Sequence, residues 1–276
     1  MILAHWIRVL RNHPRPSRLV AARFLQWSGL SPLLTVKLDR YRLRFYPTNV
    51  SATLWINPKG RFHGLELFRD YCQPGDVSVD VGANIGEVSI ILSQRAGVTG
   101  HVFGFEPNPR IHRYLLGNLS LNGCGNVTAT NAAVGASPGT ERMSDAKHDD
   151  MNRVLGSGAI EVPCTTLDAA VPAKAIALVK VDVEGSELRV LEGARQTLTR
   201  AACVNCELSE EHYRRYGYGM TDVIAFLKAA GFRTYMIAGT RTLRAIDEGF
   251  SEAGVHELVA MRDPADFTRR TGWQLP

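Results

Sequence analysis

The amino-acid sequence predicts an α/β protein with a mainly parallel sheet that helices cover on both faces. The first observation behind this prediction is an alternation, from residue 77 onwards, of short β-rich runs with stretches of about 10–15 residues that have helical spacing. The second observation is size and composition. The 276 residues are 45% hydrophobic and 21% charged, which suits one large globular domain with a short appendage and excludes wholesale disorder.

Seven runs are predicted to be the strands of this sheet. Each run is short, rich in β-branched or aromatic residues, and flanked by turn-forming residues. They span residues 77–82, 101–107, 127–135, 175–183, 201–208, 232–238 and 255–262. The last two runs are joined by residues 239–254, which carry no helix signal, so we expect these two strands to pair antiparallel as a hairpin.

Helices are predicted before the first strand and between most of the others, where apolar residues recur every three or four positions. They span residues 62–72, 87–97, 109–123, 186–198 and 221–231. Residues 136–166 break the alternation because they are polar and rich in Gly and Ser, and only residues 160–164 among them have a strand pattern.

Charge separates an N-terminal appendage, residues 1–60, from the main domain, residues 61–276. Residues 1–46 hold nine of the 32 Lys and Arg residues but only one of the 27 acidic residues. The rest of the chain therefore has 23 basic and 26 acidic residues and is slightly acidic. A nucleic-acid-binding domain would be expected to be basic, so we expect no nucleic-acid partner.

Inside the appendage we expect two short basic helices, because Pro14 and Pro16 interrupt residues 1–32. A strand or hairpin follows over residues 35–46. Apolar residues are interspersed with the arginines of the first helix. Two interpretations fit that pattern: a helix that lies on an anionic membrane surface through residues 1–30, or a helix that covers the protein's own core.

The cysteine content and the N-terminal sequence favour a cytoplasmic protein. Five cysteines are an odd and low number, which is typical of reduced thiols rather than of a disulfide framework. The first residues lack the order of a secretory signal, and no run of about 18 apolar residues predicts a transmembrane helix. Cys203 and Cys206 are spaced like a metal or redox motif, but three residues apart on a strand they face opposite sides, so we assign them no metal.

The turn after the first predicted strand is the first candidate ligand site, because ligands bind beyond the carboxyl ends of parallel strands. Gly82 allows a sharp turn, Gly86 lets the next helix start close to a ligand, and Asp80 places a carboxylate at the strand end. Asn84 stands where a dinucleotide-binding turn needs glycine, and the lysine motif of a phosphate-binding loop is missing. The carboxylate repels a pyrophosphate and suits a cationic ligand.

Glu106 ends the second predicted strand, just before Pro107. An acidic residue at that position can accept hydrogen bonds from both hydroxyls of a ribose. Together with Asp80, it describes a pocket for a cationic adenosine compound, of which S-adenosylmethionine is the obvious one. The alternative interpretation is a plain β-to-α turn without a ligand.

Five segments, in order along the chain, resemble the FkbM family of S-adenosylmethionine-dependent methyltransferases. They are VDVGANIGEVSIILSQ, VFGFEPNPRIHRYLLGNLSLNG, NVTATNAAVG, CTTLD and LVKVDVEGSELRVLEGA, and the resemblance covers residues 70–240 or so. It implies a class I methyltransferase fold, which is a Rossmann-like, doubly wound sheet of seven strands with the last strand antiparallel. It also implies, in most members, O-methylation of sugar or polyketide hydroxyls.

The resemblance further implies where the cofactor binds. The methionine part of S-adenosylmethionine would lie against the first turn, the ribose on Glu106, and the adenine at the end of the third strand. The residues assigned in this way are Asp80, Gly82, Ala83, Asn84, Gly86, Glu106, Pro107, Asn108, Asn131, Ala132 and Ala133.

The fourth predicted strand ends in a charged row, Lys180, Asp182 and Glu184. Alternate positions of a strand share one face, and charged side chains are costly to bury in a central strand unless they are paired. Either this K-x-D-x-E row takes part in catalysis by handling a proton, as the matching motif of the resembled family suggests, or it is an ion pair that orients the next helix.

Glu207 and His212 follow along the fifth strand as a second catalytic candidate group near the same edge of the sheet. The alternatives are that Glu207 caps the following helix and that His212 is exposed to solvent. A divalent cation between Asp182, Glu207 and the acceptor is an option but not the favoured one, because the sequence shows no tight acidic cluster. No metal ligand is assigned. Three tyrosines either line an acceptor pocket or cover the core: Tyr213, Tyr216 and Tyr218.

The predicted function is therefore transfer of a methyl group from S-adenosylmethionine to a hydroxyl of a sugar, a glycan or a secondary metabolite. One alternative is a protein of the same fold that binds ligands without catalysis. The other is a nicotinamide-dependent oxidoreductase, which Asn84 and Asp80 oppose. We expect a cytoplasmic enzyme whose membrane contact, where it exists, is peripheral and at the inner face.

Overall fold

The computed structural model of the chain describes residues 14–58, 64–143 and 160–276. The described residues fall into two compact units, 14–58 in the first and the rest in the second. The elements of the first unit are α1 (Pro16–Trp27), β1 (Thr35–Lys37), β2 (Arg42–Arg44) and α2 (Asn49–Ile56).

The first unit has a small core of its own, in which Leu19 and Ala22 of α1 pack with Phe45, Ala52 and Ile56. The two strands β1 and β2 pair antiparallel, so residues 35–46, predicted as a strand or a hairpin, form a hairpin. Helix α2 was not predicted from the sequence. The first of the two predicted basic helices falls within residues 1–13, outside the described residues.

The second unit contains eleven further strands among its described residues. They are β3 (Val77–Val81), β4 (His101–Phe105), β5 (Val127–Thr130), β6 (Ala133–Val134), β7 (Gly139–Met143), β8 (Ile160–Thr165), β9 (Ile176–Val181), β10 (Ala201–Ser209), β11 (Arg233–Gly239), β12 (Thr242–Ala245) and β13 (Val255–Met261). Nine helices accompany them: α3 (Leu65–Tyr71), α4 (Glu87–Ala96), α5 (Pro109–Leu121), α6 (Leu167–Ala170), α7 (Glu187–Glu192), α8 (Arg195–Thr199), α9 (Glu210–Tyr213), α10 (Met220–Ala229) and α11 (Pro264–Thr271).

The central sheet has eight strands in the order β12-β11-β13-β10-β9-β3-β4-β5. The five strands from β10 to β5 run parallel, and β13 lies antiparallel between β10 and β11. This arrangement confirms the predicted α/β fold class with an antiparallel last strand. The carboxyl ends of the five parallel strands meet at one edge of the sheet, where a ligand site is expected.

Burial along the central strands shows that helices cover both faces of the sheet. In β9, every residue except Ala177 is buried, so side chains that point to either face are removed from solvent. Val190 and Leu191 of α7 and Val223 of α10 pack in the same apolar cluster as Val179 of β9. Such continuous apolar burial is what a parallel sheet between two helical layers requires.

The third predicted strand, residues 127–135, is two strands in the structure. The ladder with β4 ends at Thr130, whose carbonyl accepts a hydrogen bond from the backbone N–H of Glu106 at 3.1 Å. The chain then leaves the sheet, and β6 pairs with β8 in a separate three-stranded sheet of order β6-β8-β7. The break occurs at Asn131, whose side-chain amide bonds two backbone carbonyls instead of continuing a strand.

The helix predicted over residues 186–198 is divided into α7 and α8. Gly193 lies between them against Gly135, so closely that a Cβ at Gly193 would stand 2.0 Å from the Gly135 carbonyl oxygen. Asp168 supplies a new helix start, because its carboxylate accepts from the backbone N–H groups of Gln196 and Thr197 at 3.0 and 2.6 Å.

The C-terminal part extends the prediction. The expected antiparallel pairing of the last two strands is confirmed as β11 with β13, but residues 239–254 contain β12, which adds an eighth strand at the sheet edge. Helix α11 follows. Asp70 of α3 anchors this region, because it accepts from the indole N–H of Trp273 at 2.9 Å and pairs with Arg241 at 2.9 Å.

Candidate active site

The turn between β3 and α4 is folded tightly against the ends of two neighbouring strands. The backbone N–H groups of Gly82 and Ala83 both donate to the carbonyl of Phe105, at 3.0 and 2.9 Å. Gly82 has a φ of +77°, and a Cβ there would stand 1.8 Å from the carbonyl oxygen of Asp182. Asn84 also adopts a left-handed conformation, with a φ of +48°. The turn therefore requires glycine at position 82 for two separate reasons.

Glu106 lies at the mouth of this turn, with 7% of its surface exposed. Its carboxylate accepts from the backbone N–H of Asn84 at 3.0 Å and from that of Asn108 at 2.9 Å, one bond to each oxygen. Burial raises the pKa of Glu106 to about 7, although the two backbone N–H groups oppose the shift. Each oxygen keeps a lone pair, so the carboxylate presents two acceptors side by side.

The residues around Glu106 fix its position. Asn108 caps α5 by accepting from the backbone N–H of Arg110 at 2.9 Å, and its own side-chain Nδ2 is buried without a hydrogen-bond partner among the described residues. The side-chain amide of Asn131 donates to the carbonyls of Glu106 and Pro107, at 2.8 and 2.9 Å. The predicted adenine-side residues that follow, Ala132 and Ala133, are both buried.

Asp80 occupies a different position from the one expected for a group in contact with a ligand. Its side chain is fully buried, and its carboxylate accepts from the Ser89 hydroxyl at 2.6 Å and pairs with Lys180 at 3.2 Å. The reason is that β3 is a central strand, so the side chain of Asp80 points into the layer beneath α4. Asp80 can act on a ligand only through the groups that it holds.

Lys180 connects the turn to the end of β9. Its ammonium lies 3.2 Å from the carboxylate of Asp80 and 3.4 Å from that of Asp182, and it donates to the carbonyl of Gly82 at 2.9 Å. Burial alone would lower the pKa of Lys180, but the carboxylates of Asp182 and Asp80 outweigh it and raise the pKa above its ordinary value. The lysine is therefore a permanent cation under the site.

The predicted charged row does not continue along the strand, because β9 ends at Val181. Glu184 stands in the following turn with a φ of +59°, and its carboxylate turns toward His212, 3.7 Å from Nδ1. Lys180 and Asp182 thus form one group and Glu184 joins another. The ion-pair alternative describes the geometry of the first two residues.

Glu184, Glu207 and His212 come together at the ends of β9 and β10. His212 Nδ1 lies 3.0 Å from Glu207 Oε1, and one potential ligand atom of each of the three residues falls within 4.8 Å of the other two. The three side chains are partly exposed, so solution species can reach them. The tight cluster that the sequence did not reveal is therefore present, and a base or a cation could use it.

Burial and neighbouring negative charge together raise the pKa of Glu207. Burial is the largest cause that raises its pKa to about 9, and the carboxylates of Asp182, Glu184, Glu187 and Glu257 add to the shift. Glu257 stands opposite Glu207 in the antiparallel pairing of β10 with β13. Four neighbouring carboxylates thus make the loss of a further proton unfavourable.

Two of these residues, Glu187 and Glu257, were not predicted from the sequence. Glu187 is fully buried at the start of α7, where it accepts from the backbone N–H groups of Val183 and Gly185 at 3.0 and 3.2 Å. A second acid directly after E-G-S was a readable signal for such a turn-closing role. Glu257 could be found only from the register of β13 on β10, and sequence alone does not give a register.

The three tyrosines have different surroundings. Tyr213 is buried and donates to the carbonyl of Glu207, and Tyr218 donates to the carbonyl of Gly185 while it accepts from Leu188 N–H at 3.2 Å. Tyr216 is half-buried beside Gly185, in the turn that follows β9. These contacts hold the backbone that carries Glu184, Glu207 and His212. Cys203 and Cys206 are buried free thiols, and Cys206 donates to the carbonyl of Glu207 at 3.3 Å.

The chain is similar to several known proteins. The family model described as the methyltransferase FkbM domain matches residues 80–234. The hexuronic acid methyltransferase AglP of Haloferax volcanii is 29% identical in an alignment of 225 positions, which covers 77% of this chain and 89% of that protein. Two solved structures resemble this one at low identity. A putative rRNA methylase from Clostridium thermocellum is 11% identical, with a TM-score of 0.47 over 72% of this chain and 92% of that chain. A TehB-like S-adenosylmethionine-dependent methyltransferase from Corynebacterium glutamicum is 10% identical, with a TM-score of 0.45 over 76% of this chain and 93% of that chain.

Proposed function

This chain belongs to the FkbM methyltransferase family, and we propose that it transfers the methyl group of S-adenosylmethionine to a hydroxyl of a sugar, a glycan or a secondary metabolite. The observation that carries the proposal is the pair formed by His212 and Glu207, whose Nδ1 and Oε1 atoms are 3.0 Å apart. The pair lies at the same edge of the sheet as the turn between β3 and α4. An alcohol must lose a proton as it attacks, and an imidazole held by a carboxylate is suited to take it. The similarity to AglP, a hexuronic acid methyltransferase, supports a sugar acceptor.

The residues at the turn fit the cofactor. The two remaining acceptor positions of Glu106 suit the vicinal hydroxyls of a ribose. Asn108, whose backbone N–H holds one Glu106 oxygen, also has a buried Nδ2 that finds no hydrogen-bond partner in the part of the chain that the structure describes. When bound, the sulfonium supplies an electrophilic methyl group. Gly82, Ala83, Asn84 and Gly86 would line the methionine part, and Asn131, Ala132 and Ala133 the adenine side.

Asp80 and Lys180 act in this proposal as positioning residues. Lys180 holds the carbonyl of Gly82 and the carboxylate of Asp182, and Asp80 keeps the ammonium in place beneath them. This series of contacts couples the shape of the turn to the position of Asp182. Removing Asp80 would therefore disturb the turn without removing a group that touches the ligand.

His212 is the proposed general base. With Nδ1 facing Glu207, the other ring nitrogen, Nε2, takes the proton of the acceptor hydroxyl. Glu184, 3.7 Å from Nδ1, adds negative charge that stabilises the imidazolium once it has formed. Positioning of the acceptor oxygen in line with the methyl group contributes much of the remaining acceleration.

A divalent cation is the alternative use of the same cluster, since Glu184, Glu207 and His212 could hold one. The two roles exclude each other, because His212 Nδ1 and Glu207 Oε1 cannot share a proton and bind a metal ion at the same time. Chelation separates them. The proposed base predicts that excess EDTA leaves methyl transfer unchanged, and a loss of activity that Mg²⁺ or Mn²⁺ restores would replace the base by a metal centre.

The proposed reaction is tested by transfer of a tritiated methyl group from S-adenosylmethionine to a panel of neutral sugars, uronic acids and their glycosides. We expect labelled product whose methyl group survives mild alkali, because an ether forms on a hydroxyl. Release of the label by alkali would mean a methyl ester on a carboxylate and would overturn the O-ether assignment. Titration calorimetry with S-adenosylmethionine tests the cofactor site independently of any acceptor.

The expected membrane contact remains a proposal as well, and residues 14–30 of the proposed segment are within the described chain. No helix in residues 14–58, 64–143 or 160–276 has the length and apolarity needed to cross a bilayer. We propose that the enzyme meets the membrane peripherally through its basic first unit.

A further inference from the structure

Exposed apolar side chains are concentrated in one short segment of the first unit. Among the described residues, nine large hydrophobic side chains are exposed, and six of them lie between residues 20 and 34. They form what we call the apolar face: Val20, Phe24, Trp27, Leu30, Leu33 and Leu34. Trp27 and Leu33 are 83% and 78% exposed. Scattered exposed apolar residues need no explanation, but a cluster of this kind marks an interaction site.

Helix α1 is apolar on two sides. Leu19 and Ala22 fill the core of the first unit, whereas Val20, Phe24 and Trp27 follow one another at intervals of four and three residues and are exposed. This spacing places the three exposed side chains on one helix face. A helix that only covers its own core has a polar outer face, so α1 has more apolar surface than its own unit can bury.

The apolar face continues beyond the helix. Leu30, Leu33 and Leu34 belong to or border a short 3₁₀ turn, Ser31–Leu33, which directly precedes strand β1. The rings of Phe24 and Trp27 lie 6.1 Å apart. The aromatic and leucine side chains thus come from two consecutive elements and form one segment of exposed apolar surface.

Cations dominate the charge of the same unit. Within residues 14–58 there are seven Lys and Arg residues and a single acid, Asp39. Arg15 fastens α1 to α2, by donating to the carbonyl of Ile56 at 2.9 Å. On and after the helix, Arg23, Lys37, Arg40 and Arg42 are exposed. Exposed Trp, Phe and Leu side chains beside cations match an anionic bilayer surface, where apolar groups enter the headgroup boundary and cations meet the lipid phosphates.

We propose that the apolar face of residues 20–34 inserts into the surface of a membrane that contains anionic lipids, with the neighbouring Arg and Lys residues bound to the headgroups. A bilayer is favoured over a protein partner because the surface combines one sign of charge with large apolar side chains and has only one acid to select a partner's cations. This inference rests on the first unit alone. It neither needs nor affects the chemistry proposed for the second unit.

The test uses the full chain and sedimentation with vesicles of phosphatidylcholine, alone or with about a third phosphatidylglycerol. We expect binding to the anionic vesicles. We also expect about 0.5 M salt, well above physiological ionic strength, to weaken that binding by screening the charges. The triple variant Phe24→Ser, Trp27→Ser, Leu33→Ser should bind at least about ten-fold more weakly, because the inserted side chains are gone. The matched control, Val98→Ser with Leu116→Ser, removes exposed apolar residues elsewhere and should bind like the wild type.

Three results would overturn the proposal. They are no binding of the wild type to anionic vesicles, equal binding of the triple variant, and a concentration-dependent dimer in sedimentation velocity that the triple variant loses without any vesicle binding. The last result would assign the apolar face to a second copy of the chain. Calorimetric affinity for S-adenosylmethionine, measured on each variant, should stay unchanged, so failure of this proposal and failure of the proposed methyl transfer are distinguishable.

Discussion

Four carboxylates surround Glu207 at the ends of β9, β10 and β13, and their charge has a direct consequence for the pH dependence of the proposed reaction. An ionised Glu207 is the form that orients the His212 imidazole and stabilises the imidazolium that forms when the base takes a proton. Because burial and neighbouring charge raise the pKa of Glu207 to about 9, Glu207 loses its own proton only in alkaline solution. The acid is therefore part of what decides when the base works.

We expect methyl transfer to rise with pH through an apparent pKa near 9 in the wild type. In Glu207→Gln, the group that titrates near 9 is gone, so the rise centred near that pH should disappear. The maximal rate should fall on the order of 10²-fold, since the imidazole loses its orienting carboxylate. Rate–pH profiles at saturating cofactor measure both effects, and an unmoved profile would contradict the proposed pair.

Glu106 gives a second prediction at the residue scale. Glu106→Ala should weaken S-adenosylmethionine binding by about 10–100-fold, because a charged acceptor of two hydrogen bonds is lost and the N–H groups of Asn84 and Asn108 lose their partner. Glu161→Gln on the exposed side of β8 is the control and should bind normally. Calorimetry measures both, and equal affinities of the two variants would remove Glu106 from the cofactor site.

At the scale of elements, the turn between β3 and α4 shows how a glycine ties three strands together. Its N–H groups donate to the carbonyl of Phe105 in β4, and one of its carbonyls accepts from Lys180 of β9. The backbone of Asp182, just after β9, lies directly against Gly82. Any side chain at position 82 would separate β3 from β9. The turn is therefore a structural joint as well as a proposed ligand site.

Gly82→Ala should destabilise the second unit by several kcal/mol, on the order of a large core defect, because the Cβ meets a backbone oxygen at 1.8 Å and the φ is +77°. Gly272→Ala, just after α11, is the matched control. Its φ is +70° in the ordinary left-handed region and nothing lies within 4 Å of the added Cβ, so it should cost only about 1 kcal/mol. Urea unfolding curves compare the two, and equal losses would show that backbone conformation alone matters.

The sequence predicted elements best where local patterns decide them. The runs at β3, β9 and β10 are apolar and bounded by turn residues, and helix α5 starts at Asn108-Pro109, a readable cap. The prediction failed where the boundary of an element depends on a contact with a residue far away in the sequence. The division of the helix predicted over residues 186–198 depends on the approach of Gly135 to Gly193, and the end of β5 depends on Asn131 reaching the carbonyl of Glu106.

The candidate site divides in the same way. Glu106, Lys180, Glu207 and His212 could be found because they follow strand ends that meet at one edge. The buried role of Asp80 could not be predicted, because it depends on a hydrogen bond from Ser89, the third residue of α4. Nor could the turn of Glu184 toward His212, because the sequence does not show that β9 ends at Val181.

At the scale of the whole molecule, the two units contribute differently. The second unit supplies the fold that the family shares, and the family assignment settles the choice against an oxidoreductase. The first unit lies outside the matched residues. Its small core and its apolar face are therefore properties of this chain rather than of the shared fold.

Trp273 tests how the second unit is held together. It is a fully buried tryptophan that packs near Phe267 and bonds Asp70. Trp273→Ala should cost about 3–5 kcal/mol of unfolding free energy, as for other large buried aromatic residues. Trp27→Ala removes a tryptophan that is 83% exposed and should change stability by less than about 0.5 kcal/mol. Denaturation followed by far-UV circular dichroism compares them, and similar midpoints would show that the Asp70 anchor is dispensable.

The bond from Trp273 to Asp70 joins residues 203 positions apart, and Arg241 reaches the same carboxylate from 171 positions away. During synthesis, helix α3 is made long before either partner exists. The unit cannot close around Asp70 until nearly all of its residues have left the ribosome, so the nascent chain must wait with an incomplete core. Contacts of such sequence separation form late and slowly. A protein built in this way is expected to depend on chaperones while it is being translated, and less so afterwards.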